Sequence, residues 1–383
     1  MTSQRPVYLD YHAHAPLDPR VAAVMHAAYM DFDANPHSTH LSGEASHRQV
    51  ELARLQIADM LQVSPSEVIF TSGATESNNL AIHGLASHLL SQGRTQILVS
   101  AGEHPSVLAP AHAGGLACET IALKYDGTLD LDHLSQLLDR TVGLVSVAAA
   151  NHEIGTIQPL DEIADRVRAA GALFHSDLAQ AAGKISVSAN VYDLASVSAH
   201  KMGGPSGIGA LIVRRRVRRH MRPIVQGGGQ ENGLRPGTLS TALCVAFGEA
   251  ARIAMNDAGQ DALRVAALRD MLLERLQTAG GLSVHGSPSR LPGNLNIAFE
   301  GVDGEALVLA VRDTVSLSTG SACTSRTMEP SHVLRAIGLS ELEAQRAVRC
   351  GLGRGTTEED VNMAADAILG AVKTLRATWR RVA

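Results

Sequence analysis

A chain of 383 residues that is 45% apolar but only 3% aromatic, with 35 glycines, can fill roughly two to three domains with cores of Ala, Val, Leu and Ile. Its formal net charge of −5 gives no global reason to bind nucleic acid or an anionic membrane, and no run reaches the ~18 apolar residues of a membrane span. Residues 1–11 hold no apolar core of signal-peptide type, and the four cysteines, Cys118, Cys244, Cys323 and Cys350, form no C-x-x-C pair, so neither a disulfide framework nor a zinc site is expected and the expected location is the cytoplasm.

In chain order, residues 7–16 (VYLDYHAHAP) read as an extended arm, on which His12 and His14 would share one strand face. A metal pair is conceivable there, but no third ligand is evident, and no metal is expected. Strand-like runs follow at 68–71, 96–100, 143–149, 172–175, 194–198 and 210–213, most of them continuously apolar, as strands covered on both faces require. Helical patterns at 75–92, 129–138 and 160–170 lie between several of them. The alternation predicts an α/β protein whose large domain is a mostly parallel, doubly covered sheet. Arginines at 214–216 and 218–219 read first as a solvated turn, with an acidic docking partner as the weaker reading. After Gly227-Gly228-Gly229 the rhythm changes: a long helical stretch, 243–278, leads into apolar runs at 295–299 and 306–311 and a last helix, 357–372. This predicts a large domain at 16–245, and a smaller α/β domain made of 1–15 with 246–383.

Open parallel sheets bind ligands beyond the carboxyl ends of their strands, so the residue just after each apolar run carries the chemistry. Ser72-Gly73-Ala74-Thr75 follows the first run, and small residues opening a helix suit a phosphate. His104 follows the second. Asp177 and Gln180 follow the run at 172–175, and Ser198, His200 and Lys201 follow the run at 194–198. A lysine ahead of glycines at a strand end suits a Schiff base with an aldehyde cofactor. Each residue alone also reads plainly: Thr75 and Asp177 as helix caps, His104 as a loop histidine, Lys201 as a surface lysine.

The ordered set Tyr8-Leu9-Asp10-Tyr11, Asn35-Pro36, Thr71 to Asn78, Glu103-His104, Glu153-Ile154-Gly155, Asp177 with Gln180, Ser198-x-His200-Lys201, Gly227 to Glu231, Arg235 to Thr238, Gly320 to Ser325 and Arg349 with Leu352-Gly353-Arg354 resembles the cysteine desulfurases of the NifS/IscS type, within the fold-type I pyridoxal-phosphate enzymes. The resemblance implies pyridoxal 5′-phosphate bound to Lys201, which also moves the Cα proton, with Asp177 on the pyridinium nitrogen and His104 stacked on the ring and serving proton transfer. It further implies Gln180 on the phenolic oxygen and Ala74, Thr75, Ser198 and His200 around the phosphate. A threonine like Thr238 completes that cradle from the second subunit of a homodimer, and Arg349 clamps the carboxylate of the L-cysteine substrate. Cys323 would attack the substrate sulfur, releasing L-alanine and leaving a persulfide for a protein acceptor, an iron–sulfur scaffold or a thiolation enzyme. The wording Ser321-Ala322-Cys323-Thr324-Ser325 is similar to the longer-loop desulfurases, in which a mobile loop carries the persulfide.

Several positions depart from the family pattern. His152 replaces an asparagine beside the phenolic oxygen and the substrate carboxylate, and His14 and Ala15 replace two threonines of the arm. Ala179 stands where a threonine is usual. Two other readings therefore accompany the desulfurase: a related lyase or aminotransferase, for instance one acting on selenocysteine, and a non-catalytic homologue with an altered site.

Overall fold

Residues 5–319 and 330–382 are described in the computed structural model. Twelve short strands are described: β1 (Val7–Tyr8), β2 (Val68–Thr71), β3 (Gln96–Ser100), β4 (Ala117–Ile121), β5 (Val142–Ser146), β6 (Leu173–Asp177), β7 (Leu194–Ser198), β8 (Gly209–Val213), β9 (Leu282–His285), β10 (Asn294–Phe299), β11 (Val315–Ser316) and β12 (Ala347–Gly351). Seven of them form one sheet in the order β2-β8-β7-β6-β5-β3-β4. Only β8 runs against its neighbours, so the carboxyl ends of the other six share one edge.

The two sheet faces divide the apolar side chains by the two-residue period of a strand. Val68 and Phe70 enter one buried cluster while Ile69 enters another, and Ala210 and Ile212 part from Leu211 and Val213 in the same way. Helices Leu41–Leu61, Leu160–Ala169 and the first half of Thr241–Gln277 supply buried residues to the first cluster; Ala74–Ser91 and Pro105–Ala113 supply the second. Doubly covered strands need no polar alternation, which is why these runs read as continuously apolar. Glycine sets the closest approach of the helices: a Cβ on Gly248 would stand 2.6 Å from Ala53 Cα, so a larger residue would drive Thr241–Gln277 off Leu41–Leu61.

A second unit holds the antiparallel sheet β12-β10-β9 and the parallel pair β1-β11. Its separate apolar cluster includes Leu9, Val265, Leu272, Ile297, Phe299, Val348 and Val361. The apolar run 306–311 forms part of helix Gly304–Val311, which packs its buried Leu307 and Val311 into this cluster. Helix Thr241–Gln277 joins the two units: Ala254 still belongs to the large core, whereas Val265 belongs to the small one.

Two expectations from the sequence need correction. Residues 11–13 turn, so His12 and His14 do not share a strand face; His12 is buried against Gln180, and His14 stacks on His200 with ring centres 5.4 Å apart. The arginine cluster is a staple and no free turn. Arg214 pairs with Glu67 at 3.0 Å and Arg218 donates to Ser66 O at 2.6 Å, fastening the end of β8 to the turn before β2, while Arg216 pairs at 2.7 Å with Asp193, just ahead of β7.

Candidate active site

The carboxyl edge of the large sheet gathers the residues read from the sequence. Asp177 ends β6, and Ser198 ends the adjacent β7, whose chain turns at once into His200 and Lys201. Thr71 ends β2, and Gly73 follows with φ of +152°, a conformation that glycine tolerates far better than other residues. The backbones crowd here: a Cβ on Gly209 would lie 2.7 Å from Gly73 Cα. That approach brings the start of helix Ala74–Ser91 beside β7, and among the described residues no side chain caps its free amides. An uncapped helix start flanked by the hydroxyl of Ser198, which pairs with His200 Nδ1 at 2.9 Å, is the donor set a phosphate needs. Ala74 and Thr75 open that helix.

Asp177 is buried and both its oxygens are engaged: Oδ2 accepts from Asn78 Nδ2 at 2.8 Å, and Oδ1 from Ala179 N at 2.8 Å. Asn78 lies one helical turn beyond Thr75, so one helix offers the phosphate cradle and the carboxylate's partner on one face. Asn78 Nδ2 also donates to Ser106 Oγ at 2.9 Å, whose hydroxyl lies 2.8 Å from His104 Nδ1. His104 Nδ1 in turn accepts from Ser106 N at 3.1 Å, which fixes the ring as the cap of helix Pro105–Ala113 and leaves the proton of the neutral imidazole on Nε2. Burial lowers the His104 pKa against the opposing pull of Asp177.

Lys201 Nζ donates to His12 O at 2.7 Å and to Ala13 O at 2.8 Å, which draws the arm over the site. Gln180 faces the same turn: its Nε2 donates to His12 O at 2.8 Å, and its Oε1 receives His12 Nδ1 at 3.1 Å and Lys184 Nζ at 3.3 Å. One amide hydrogen of Gln180 remains to donate to a ligand.

Arg349 is buried, and its guanidinium donates to His152 O at 2.9 Å and to Asp10 Oδ1 and Ser318 Oγ at 2.8 Å each. Its Nε is buried with no hydrogen-bond partner among the described residues, as is His12 Nε2. Unspent buried donors and acceptors around a cleft are what a ligand would complete.

His152 stands edge-on to His104, and burial, ahead of the nearby cations, drives its pKa well below the usual value. Beside it Glu153 accepts from Ser331 Oγ at 2.5 Å, and burial pushes its carboxyl up to about 7. Glu103 is buried, takes the Ala148 amide at 2.7 Å and is likewise pushed up by burial. Thr238 is exposed and is not hydrogen-bonded to Thr75, Ser198 or His200 among the described residues. Its segment is nevertheless fixed: Arg235 pairs with Glu76 at 3.0 Å, and Glu231, at φ of +48°, is held by Arg54 at 2.7 Å and by the Phe70 amide at 2.6 Å. Cys323 lies outside the described residues. Of the other cysteines, Cys244 and Cys350 are buried, and burial pushes their thiols up to about 12, leaving them protonated packing groups.

Asn78, Asp10, Ser318, Lys184 and His332, which donates through Nε2 to Glu103 O at 2.9 Å, have no sequence-derived role. Asn78 and Asp10 lie in matched motifs, and Asn78 also has its i+3 spacing from Thr75; Ser318 and His332 come from distant segments, and Lys184, four residues past Gln180, carried no signal of its own.

Doubly wound sheet, uncapped helix start, buried carboxylate and strand-end lysine together define a fold-type I enzyme site. The class-V aminotransferase profile matches residues 7–363. The cysteine desulfurase IscS of Rickettsia rickettsii is 43% identical over 380 residues, 97% of this chain and 92% of that protein. Among solved structures, a NifS-like protein superposes with a TM-score of 0.90 at 32% identity, covering 96% of this chain and all of that one. SspA in complex with cysteine superposes with a TM-score of 0.79 at 32% identity, covering 90% and 98%. The chain belongs to the class-V aminotransferase family, in its cysteine desulfurase branch. Among the described residues no helix is long and apolar enough to cross a membrane.

Proposed function

We propose that the protein removes sulfur from L-cysteine with pyridoxal 5′-phosphate, yielding L-alanine and a persulfide on Cys323. The observation that carries this reading is Asp177, a buried carboxylate with both oxygens on fixed donors, at the strand end next to the one that delivers Lys201. The residues present fit the cofactor. Lys201 would hold it covalently, Asp177 would keep its ring nitrogen protonated, and His104 would cover the ring. Gln180 would meet the ring oxygen with its spare amide hydrogen. The amides at Ala74 and Thr75, with Ser198 and His200, would hold the phosphate. When bound, the group supplies an electron sink for negative charge at the substrate Cα.

The chain's own residues do the rest. Arg349 is preorganised by Asp10, Ser318 and His152 O to orient a carboxylate, with His152 itself on the same side. Lys201 would move the Cα proton, and His104 would carry protons at Nε2. The Cys323 thiolate would take the substrate sulfur; the thiols of Cys244 and Cys350 are held protonated and do not compete.

The fixed, exposed segment Gly227–Thr238 supports a homodimer in which the partner subunit's Thr238 completes the phosphate cradle. The acceptor of the persulfide would be a protein, an iron–sulfur scaffold or a thiolation enzyme. Free buried thiols support a reducing compartment, and so the cytoplasm. The two apolar clusters support a large unit at 16–245 and a small one of 1–15 with 246–383, helix Thr241–Gln277 passing from the first cluster to the second between Ala254 and Val265. Incubation with L-cysteine and a reductant tests the activity: equal amounts of sulfide and alanine support it, and pyruvate or no product contradicts it.

A further inference from the structure

Between the two units lies a cavity of about 220 Å³, whose lining includes His12, Asp18, Lys184, Lys201, Asp261 and Arg354. Its acidic groups are already taken. Asp18 holds Arg20 at 2.8 Å and Arg354 at 3.0 Å, and Asp261 holds Arg354 at 2.6 Å. His12 is kept neutral by burial. Lys184 has no carboxylate within ion-pair distance among the described residues; the hydrogen bond described for its amine goes to Gln180 Oε1 at 3.3 Å. Gln180 joins that amine to His12, and His12 O receives Lys201 Nζ at 2.7 Å. Two amines thus line one cleft on one hydrogen-bonded chain, with Arg349 as a third cation nearby.

We propose that Lys184 is a positioning residue for Lys201: its uncompensated positive charge disfavours a proton on the Lys201 nitrogen and so keeps that amine nucleophilic. A lysine beside a second cation, away from bulk water, is one of the few ways to make an amine reactive near neutral pH. Lys184 itself shows the mutual strain: removal from water, then Lys201 and Arg349, bring its pKa to about 7, so its charge acts on Lys201 up to about neutral pH. Among the described residues, the groups facing the two amines are the two carboxylates already spent on arginines, neutral His12, the cations Arg349 and Arg354, and, about Lys201, His104, His152 and His200. The pair behaves as a coupled site, so charge lost at one amine strengthens proton binding at the other.

The inference rests on the cofactor reading of Lys201, and the test separates the two. The visible absorbance of the purified holoenzyme is titrated from about pH 6 to about pH 10, where the nitrogen joining Lys201 to its cofactor gains or loses its proton. Replacing Lys184 by Met, or by Gln as a second neutral variant, moves the midpoint up by about one unit. Lys184→Arg, a cation throughout this range, holds the midpoint at or below the wild-type value. Unmoved midpoints in the neutral variants overturn the inference. So does an Arg variant displaced as far as Met, which would mark a purely structural role. A wild-type protein with no cofactor band overturns the cofactor reading and this inference with it.

Discussion

His104 and His152 meet edge to face, with ring centres 5.3 Å apart and planes crossing at 74°. His104 is fixed by its cap on helix Pro105–Ala113, whereas His152 comes from the turn after β5 and lies 3.6 Å from the Glu153 carboxylate. An asparagine at 152 would bring neither a titrating ring nor an aromatic edge.

The first prediction concerns that ring. With its pKa pushed well below the usual 6.5 by burial, His152 is neutral at pH 7 and gains a proton only in acid, where a new cation would face His104 and Arg349. In His152→Asn the acid limb of the kcat/KM profile moves to lower pH, while the alkaline side stays where it was. Superimposable profiles for the two proteins would contradict it.

Glu153 predicts a pH dependence of stability. Its folded carboxyl sits at about 7, above the unfolded value of 4.5, so the folded state binds the extra proton between those limits. The stabilisation is complete below about 4.5 and is lost as pH rises through 7. Melting curves of the wild type against Glu153→Gln test this: the wild type loses a few °C relative to the variant over that window. A constant difference would show that the carboxyl titrates normally.

Asn78 holds the inner oxygen of Asp177, a charge-assisted hydrogen bond. Removing it in Asn78→Ala lowers kcat/KM for cysteine by between about ten- and a hundredfold, the equivalent of about 1.5–3 kcal/mol. Cofactor content, read from its absorbance after dialysis, falls alongside. A variant with full cofactor and wild-type rate would remove Asn78 from the site.

Arg349→Lys keeps the charge but loses the fork that reaches Asp10, Ser318 and His152 O together. KM for cysteine rises by roughly tenfold or more, with a smaller change in kcat. If KM is unchanged and only the melting temperature drops, Arg349 is a structural staple and not the carboxylate clamp.

Much of the fold was readable because doubly buried strands give continuous apolar runs: 194–198 matches β7 residue for residue, and 96–100 matches β3. Helix Leu41–Leu61 escaped because it packs small and polar residues such as Gly43, Ser46 and Arg54 into the interior beside its aliphatic ones, which weakens the apolar stripe. Strand β12 joins β10 from a distant segment, a pairing no local pattern reveals, and β9 is too exposed to give an apolar run. In the site, Thr75, His104, Asp177, Ser198 and Lys201 were legible as the residues following apolar runs. Their supports were not: the Arg54–Glu231 pair spans distant segments, and Lys184 gains its meaning only from the cleft it shares with Lys201.

In the proposed reaction Cys323 accepts the substrate sulfur. Holoenzyme treated with L-cysteine and no reductant is digested, and the Cys323 peptide is weighed by mass spectrometry while alanine is counted. One added sulfur on Cys323 with one alanine per active site is the predicted result, and Cys323→Ser keeps the cofactor band but forms neither. Alanine released at the wild-type rate by Cys323→Ser, or the sulfur found on Cys118, Cys244 or Cys350 instead, would contradict the account.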